Sequence, residues 1–395
     1  MLKLYNSLSK NKESFVSIKP KEISLYVCGI TPYDTTHLGH AFTYISFDIL
    51  VRFLKYKGYK VKYTQNVTDI NDRDNDILRR ALEQNISWQN LSDFWTKKFL
   101  QDMRVLNWTR PNNYLKASEN IDSMIRIIEL LLKKNFAYQK NGSVYFDIAK
   151  KKDFGKLSRL NKKEMLKIAR DFEEDVGNSD KKNPLDITLW RAQTQNEPSH
   201  IPSFESPFGL GRPGWHIECS GMSISTLGDQ IDIHGGGTDL IYPHHESEIA
   251  QSEGATGKIP FSGLWMHTAQ VSYQGKKMSK SLGNLVMVSD LLKKYSPNVI
   301  RWYLISHHYR QPWEFFEEGL EKSKEEFTQI LDYIKTQKLN AKPGEDSFGK
   351  FINALDDNLS TPLALKIIKN IYQDQGSTLT IRKCLSILGF PIKGV

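Results

Sequence analysis

The chain has 395 residues, 39% hydrophobic and 25% charged, with a formal net charge of +9. That length allows two or three domains with a sizeable core, and no apolar run reaches the roughly 20 residues needed to cross a bilayer. The start, "MLKLYNSLSKNKES", lacks the apolar segment of a secretion signal, and three cysteines cannot build a disulfide framework, so a cytoplasmic protein with no membrane partner is expected.

"ISLYVCG" (23–29) is a short apolar run closed by glycine and predicts a buried strand. Phe42, Ile45, Ile49 and Phe53 then recur at three- and four-residue spacing until "KYKG" stops the pattern at Gly58, which predicts an amphipathic helix. Residues 60–64 read as the next strand, completing one βαβ unit of a parallel sheet. Residues 121–132 predict an apolar helix, "SVYFDI" (143–148) a strand, and the polar stretch 171–184 a mobile loop. Residues 115–200 are expected to form an insertion between two halves of the sheet. "QIDIHGGG" and "GLWMHTAQVSY" supply further strands, and the chain after Val288 reads as helices. "KLNAKPGEDS" (338–347) suits a linker before a small helical bundle, and no internal repeat is present.

Two runs carry the strongest chemistry. "THLGH" follows a strand and opens a helix, where unpaired N–H groups and a partial positive charge attract phosphate. Gly39 lets a ligand approach the backbone, while His37 and His40 can donate to phosphate oxygens. "KMSKS" (277–281) offers Lys277, Lys280 and Ser281 on a segment able to close over a phosphate chain. Either run alone fits a polar helix start or an exposed basic turn. Together, in this order, they resemble the paired signatures of class I aminoacyl-tRNA synthetases.

Cys28, Cys219, His244 and Glu248 add a metal-ligand set: two sulfurs, an imidazole and a carboxylate, the last two spaced i, i+4. Singly, each fits a core thiol, a capping histidine or a solvated carboxylate. With "YVCGITPYDTTHLGHAFTY", "NVTDIND", "NPLDITLW", "GRPGWHIECS", "DIHGGGTDLIYPHHESEIAQSE" and "WMHTAQV", the chain resembles the cysteinyl-tRNA synthetases over about residues 25–310.

That resemblance implies an α/β fold: a Rossmann-type doubly wound parallel sheet with an inserted α+β subdomain and a C-terminal helical region. The implied domains are catalytic halves at 1–114 and 201–288, an acceptor-end insertion at 115–200, a stem-contact region at 289–337 and a short bundle at 338–395. Thr68, Trp215 and His234 are implied to line a cysteine pocket, and Gly235, Gly236, Gly237 and Asp239 to border the nucleotide. The implied reaction joins L-cysteine to ATP, with Mg2+, and passes it to tRNA(Cys). His37, His40, Lys277 and Lys280 would hold phosphates, and one zinc per chain would select thiol over hydroxyl. A monomer is expected. The basic stretches 151–170 and 291–310, the latter with Lys293, Lys294, Arg301 and Arg310, suit RNA.

The chain stops near where a distal anticodon-reading domain is expected to begin. "GITPYDTTHLGH" is also similar to the cysteine ligases of mycothiol biosynthesis, which pass cysteine to an amino sugar. His234, Glu248 and the basic stretches favour tRNA. A zinc hydrolase would leave both phosphate runs idle, and a non-catalytic RNA-binding relative would be expected to lack His37, His40 or Lys280.

Overall fold

A computed structural model of the chain describes residues 1–34, 36–74, 76–278, 283–337 and 346–392. Five strands form its central sheet: β1 (Glu22–Ile30), β2 (Lys60–Val67), β3 (Asn113–Lys116), β4 (Ile231–Gly237) and β5 (Ser262–Thr268). Their order is β5-β4-β1-β2-β3, and every pairing is parallel. The chain therefore winds outward from β1 on one side and returns to its other side, the topology of a doubly wound sheet.

Alternation along β1 assigns its two faces. Leu25 and Val27 join the core beneath helix α1 (Leu38–Tyr56), with Phe42, Ile45, Ile49 and Phe53. Tyr26 and Cys28 point the other way, into the core shared with helices α2 (Trp215–Leu227) and α3 (Glu246–Thr256). Helix α1 ends at Lys57, just before Gly58 at φ +83°, as its apolar spacing predicts.

The predicted helix and strand in the middle of the chain form as Ile121–Lys133 and Ser143–Phe146. That strand lies in an antiparallel four-stranded sheet with Ala137–Lys140, Ile187–Ala192 and Gly211–Pro213. Residues 172–186 carry neither helix nor strand, yet Glu174 within them is tied to Arg73 and His216 rather than left loose. After Val288 the chain is helical, apart from Trp313–Glu314, which pairs with Val271–Tyr273. The predicted linker falls outside the described residues up to position 345, and Ser347 already opens a helix.

Within the basic stretch 291–310, Arg301 is not a surface group. Arg301, on helix α4 (Pro297–Ile305), is fully buried. Its guanidinium donates to the Leu388 carbonyl at 2.7 Å, to the Leu106 carbonyl at 2.9 Å and to Asp48 of α1. Lys293 and Lys294 pair with Asp290 and Glu317, and Arg310 covers the Tyr5 ring. Arg301 is thus a tether between α1 and the C-terminal helices. Among the described residues no helix is long and apolar enough to cross a membrane.

Burial alone would raise the Asp48 carboxyl, but Arg301 and Arg52 outweigh it and hold it below its ordinary 3.8. The pair's contribution to stability is therefore complete above that pH and drains away as pH falls through the lower folded value. Asp48→Asn leaves Arg301 buried without its counter-charge. Urea unfolding at neutral pH is expected to show a loss of about 3–5 kcal/mol.

Candidate functional site

The site begins where β1 leaves its neighbours. Pairing of β1 with β2 runs to Val27–Gln65 and resumes at Ile30–Val67, so β1 carries one extra residue there. Its pairing with β4 ends at Val27–Gly235. Gly29 fits only because it lacks a side chain: a Cβ would lie 1.6 Å from the Asn66 carbonyl oxygen. Asn66 accepts the Gly29 N–H at 2.7 Å and donates to Thr68 Oγ1 at 3.1 Å. The opened sheet edge forms a crevice of about 470 Å³ at the topological switch point, where open α/β sheets gather ligands.

Its lining brings together most of the predicted residues. Cys28, Thr68, Trp215, Cys219 and His244 are present, as are His37, Gly39, His40, Gly237, Asp239 and Lys277. His37 caps α1, its Nδ1 accepting the His40 N–H at 3.3 Å, and the two rings stack at 3.7 Å. Backbone bonds join the "THLGH" run to the segment that follows "KMSKS". Leu38 N–H donates to Val286 O at 2.8 Å, and Val288 N–H to Thr36 O at 2.9 Å. Lys277 Nζ meets Asp239 Oδ2 at 3.1 Å. Lys280 and Ser281 lie outside the described residues.

Three expected lining residues do not reach the crevice. His234 is fully buried, its Nε2 2.9 Å from Glu248 Oε2 and its ring stacked on Trp265. Its Nε2 meets Glu248 and its Nδ1 has no hydrogen-bond partner among the described residues, because β4 turns that face into the core. Gly235 and Gly236 pack against Phe47 and His245, where added side chains would collide.

Cys28, Cys219, His244 and Glu248 converge, with one donor atom from each lying within 4.8 Å of the others. Cys28 Sγ is 3.8 Å from Cys219 Sγ and 3.5 Å from Glu248 Oε1, which is 3.3 Å from His244 Nε2. Tetrahedral zinc, with usual bond lengths of about 2.3 Å to sulfur and 2.0–2.2 Å to nitrogen or oxygen, requires edges of roughly 3.8, 3.6 and 3.4 Å. The donors therefore already stand at zinc-like spacing. Burial pushes both thiols and the Glu248 carboxyl up and the His244 imidazole down, so without a cation the set favours its neutral forms. A dication would reverse that preference.

A chain of contacts orients His244. Glu174 Oε1 lies 3.2 Å from His216 Nε2, and His216 Nδ1 lies 2.9 Å from His244 Nδ1. Burial would raise the Glu174 carboxyl, but His216 and Arg73 outweigh it and hold it well below its ordinary value. Where His216 donates from Nε2 to Glu174, its Nδ1 is available to accept from His244. His244 then donates from Nδ1 and keeps its Nε2 lone pair for a metal. Arg73 also lies 3.7 Å over the Trp215 ring, while Phe172 stacks on that ring at 6.0 Å.

Sequence reasoning missed Glu174, His216, Arg73, His245 and His267. The paired histidines of "PHHESE" and the histidine inside "GWHIECS" were the available signals; Glu174 had none, since an acidic loop residue gives no hint of its burial. Glu174→Ala is expected to lower zinc affinity about 10- to 100-fold, measured by competition with a chromophoric chelator, with secondary structure retained.

The chain matches the model for the tRNA synthetases class I (C) catalytic domain over residues 14–325. A cysteine--tRNA ligase of Pyrococcus horikoshii is 43% identical over 386 residues, covering 93% of this chain and 78% of that protein. One of Legionella pneumophila strain Corby is 40% identical over 400 residues, covering 99% and 85%. The solved Mycobacterium tuberculosis methionyl-tRNA synthetase in complex with methionyl-adenylate shares the fold at a TM-score of 0.63 and 14% identity, over 93% of this chain and 84% of that one. With the family model spanning most of its length and both phosphate runs and the metal-type donor set on one crevice, the chain belongs to the cysteine--tRNA ligase family of class I aminoacyl-tRNA synthetases.

Proposed function

We propose that the chain activates L-cysteine with ATP and transfers it to the 3′ end of tRNA(Cys). The observation that carries this reading is the convergence of four buried donors, three of which line the same crevice as His37, His40 and Lys277. The names of the relatives favour tRNA over an amino sugar as acceptor.

In the first step a cysteine carboxylate oxygen attacks the α-phosphorus of ATP and pyrophosphate leaves. In the second, a terminal ribose hydroxyl attacks the acyl carbon and AMP leaves. His37, His40 and the N-terminus of α1 would face the phosphates, with Lys277, Lys280 and Ser281 from the opposite run and Mg2+ as counter-ion. Gly237 and Asp239 would border the nucleotide. Thr68 and Trp215 would wall the amino acid, and His234 would act through Glu248. Zinc on Cys28, Cys219, His244 and Glu248 would supply a Lewis acid that holds a substrate thiolate far better than a serine hydroxyl.

The catalytic halves would be 1–114 and 201–288, with 115–200 meeting the acceptor end, 289–337 the RNA stem, and 338–395 forming a short helical bundle. Exposed Lys162, Lys163, Lys167 and Arg170 on the helix Lys162–Asp171 suit RNA phosphates. Lys151 and Lys156 are instead engaged by Glu253.

Apolar pockets separate such near-isosteres by only about 10²-fold. Pyrophosphate exchange should favour cysteine over serine by more than that. A smaller ratio would remove metal selection from the account. Lys277→Ala is expected to slow single-turnover adenylate formation by about 10²–10³-fold. Radiolabelled cysteine offered with total tRNA or with glucosaminyl-inositol is expected to label the RNA; label in the sugar would overturn the assignment of acceptor.

A further inference from the structure

Cys28 and Glu248 belong to a second buried donor set, completed by His234 and His245. His245 Nε2 stands 3.3 Å from Cys28 Sγ and 3.9 Å from Glu248 Oε1, while His234 Nε2 stands 2.9 Å from Glu248 Oε2. His245 is oriented as His244 is, through its far ring nitrogen. Its Nδ1 lies 2.7 Å from His267 Nε2, and His267 Nδ1 lies 2.8 Å from Ser7 Oγ. Two histidine relays, one through His216 and one through His267, thus aim an Nε2 at the same Cys28–Glu248 edge.

We infer that the pocket has two overlapping positions for a single zinc ion, sharing Cys28 and Glu248. The inference rests on the reading that this pocket holds zinc. Two dications sharing one thiolate and one carboxylate in a buried site would repel strongly, so the positions are alternatives. The Cys219–His244 position offers two sulfurs, and the three spacings along Cys219, Cys28, Glu248 and His244 are close to those of tetrahedral zinc. The His234–His245 position offers one sulfur, and its 2.9 Å histidine–carboxylate contact must lengthen by a few tenths of an ångström to accept an ion. The ion therefore rests in the first position in the intact protein. Removing Cys219 or His244 moves it to the second, whereas removing Cys28 or Glu248 breaks both.

The test measures zinc per chain by elemental analysis and thiolate-to-cobalt absorption after cobalt replacement, in the full chain. Wild type is expected to hold one ion, and Cys28→Ser to lose it. Cys219→Ser and His244→Ala are each expected to keep close to one ion, and the double variant Cys219→Ser/His245→Ala to lose it. His244→Ala keeps both cysteines, yet its charge-transfer band should fall to about half of wild type, one sulfur ligand in place of two. Loss of metal from both Cys219→Ser and His244→Ala, or a full-strength band in His244→Ala, overturns the inference while leaving the zinc reading intact. A wild-type protein that binds no zinc overturns that reading itself.

Discussion

Pairing between β1 and β4 stops at Val27 and Gly235, and the site depends on that separation. One extra residue on β1 bends the strand away from β2's register, and Gly29 presses against the Asn66 backbone where any side chain would collide. Cys28, set by strand alternation on the face of α2 and α3, meets their Cys219 and Glu248 there. Helix α1 leaves the sheet just beyond the same point, so its first turn opens onto the crevice that Cys28 lines. One local irregularity places a phosphate-facing helix end and a sulfur-facing pocket side by side.

The two ends of the crevice use opposite electrostatics. Around the first turn of α1 the helix N-terminus, His37, His40 and the Lys277–Asp239 pair border open space, where water and counter-ions can enter. Around Cys28 the donors are desolvated and favour neutrality until a cation joins them. Small differences between substrates are amplified in the second environment, where bulk water cannot screen them.

Much of this was legible in the sequence. The βαβ unit, α1 with its glycine stop and the strands carrying "QIDIHGGG" and "GLWMHTAQVSY" follow from periodicity, because those segments bury one face each. The four donors of the first metal set were legible because sulfur and imidazole are rare enough to stand out. Arg301 was not: composition counts it as basic surface, and only packing against Asp48, Leu106 and Leu388 shows it to be an interior tether. His234 was placed in the pocket by its neighbours in the motif, but the strand alternation that buries it also sets it behind Glu248. Glu174 was invisible because its partners, Arg73 and His216, lie about 100 and 40 residues away and meet it only in the folded chain.

The placement of Glu174 bears on how such a protein can be taken apart. It is contributed by an irregular segment joined to the antiparallel subdomain, yet through His216 it is linked to an imidazole two contacts away in the parallel sheet's own pocket. The subdomain is therefore not an interchangeable module. A chimera that borrowed this segment from a relative without its matching Arg73 and His216 would assemble both architectures and still leave the His244 ring without the contacts that hold it.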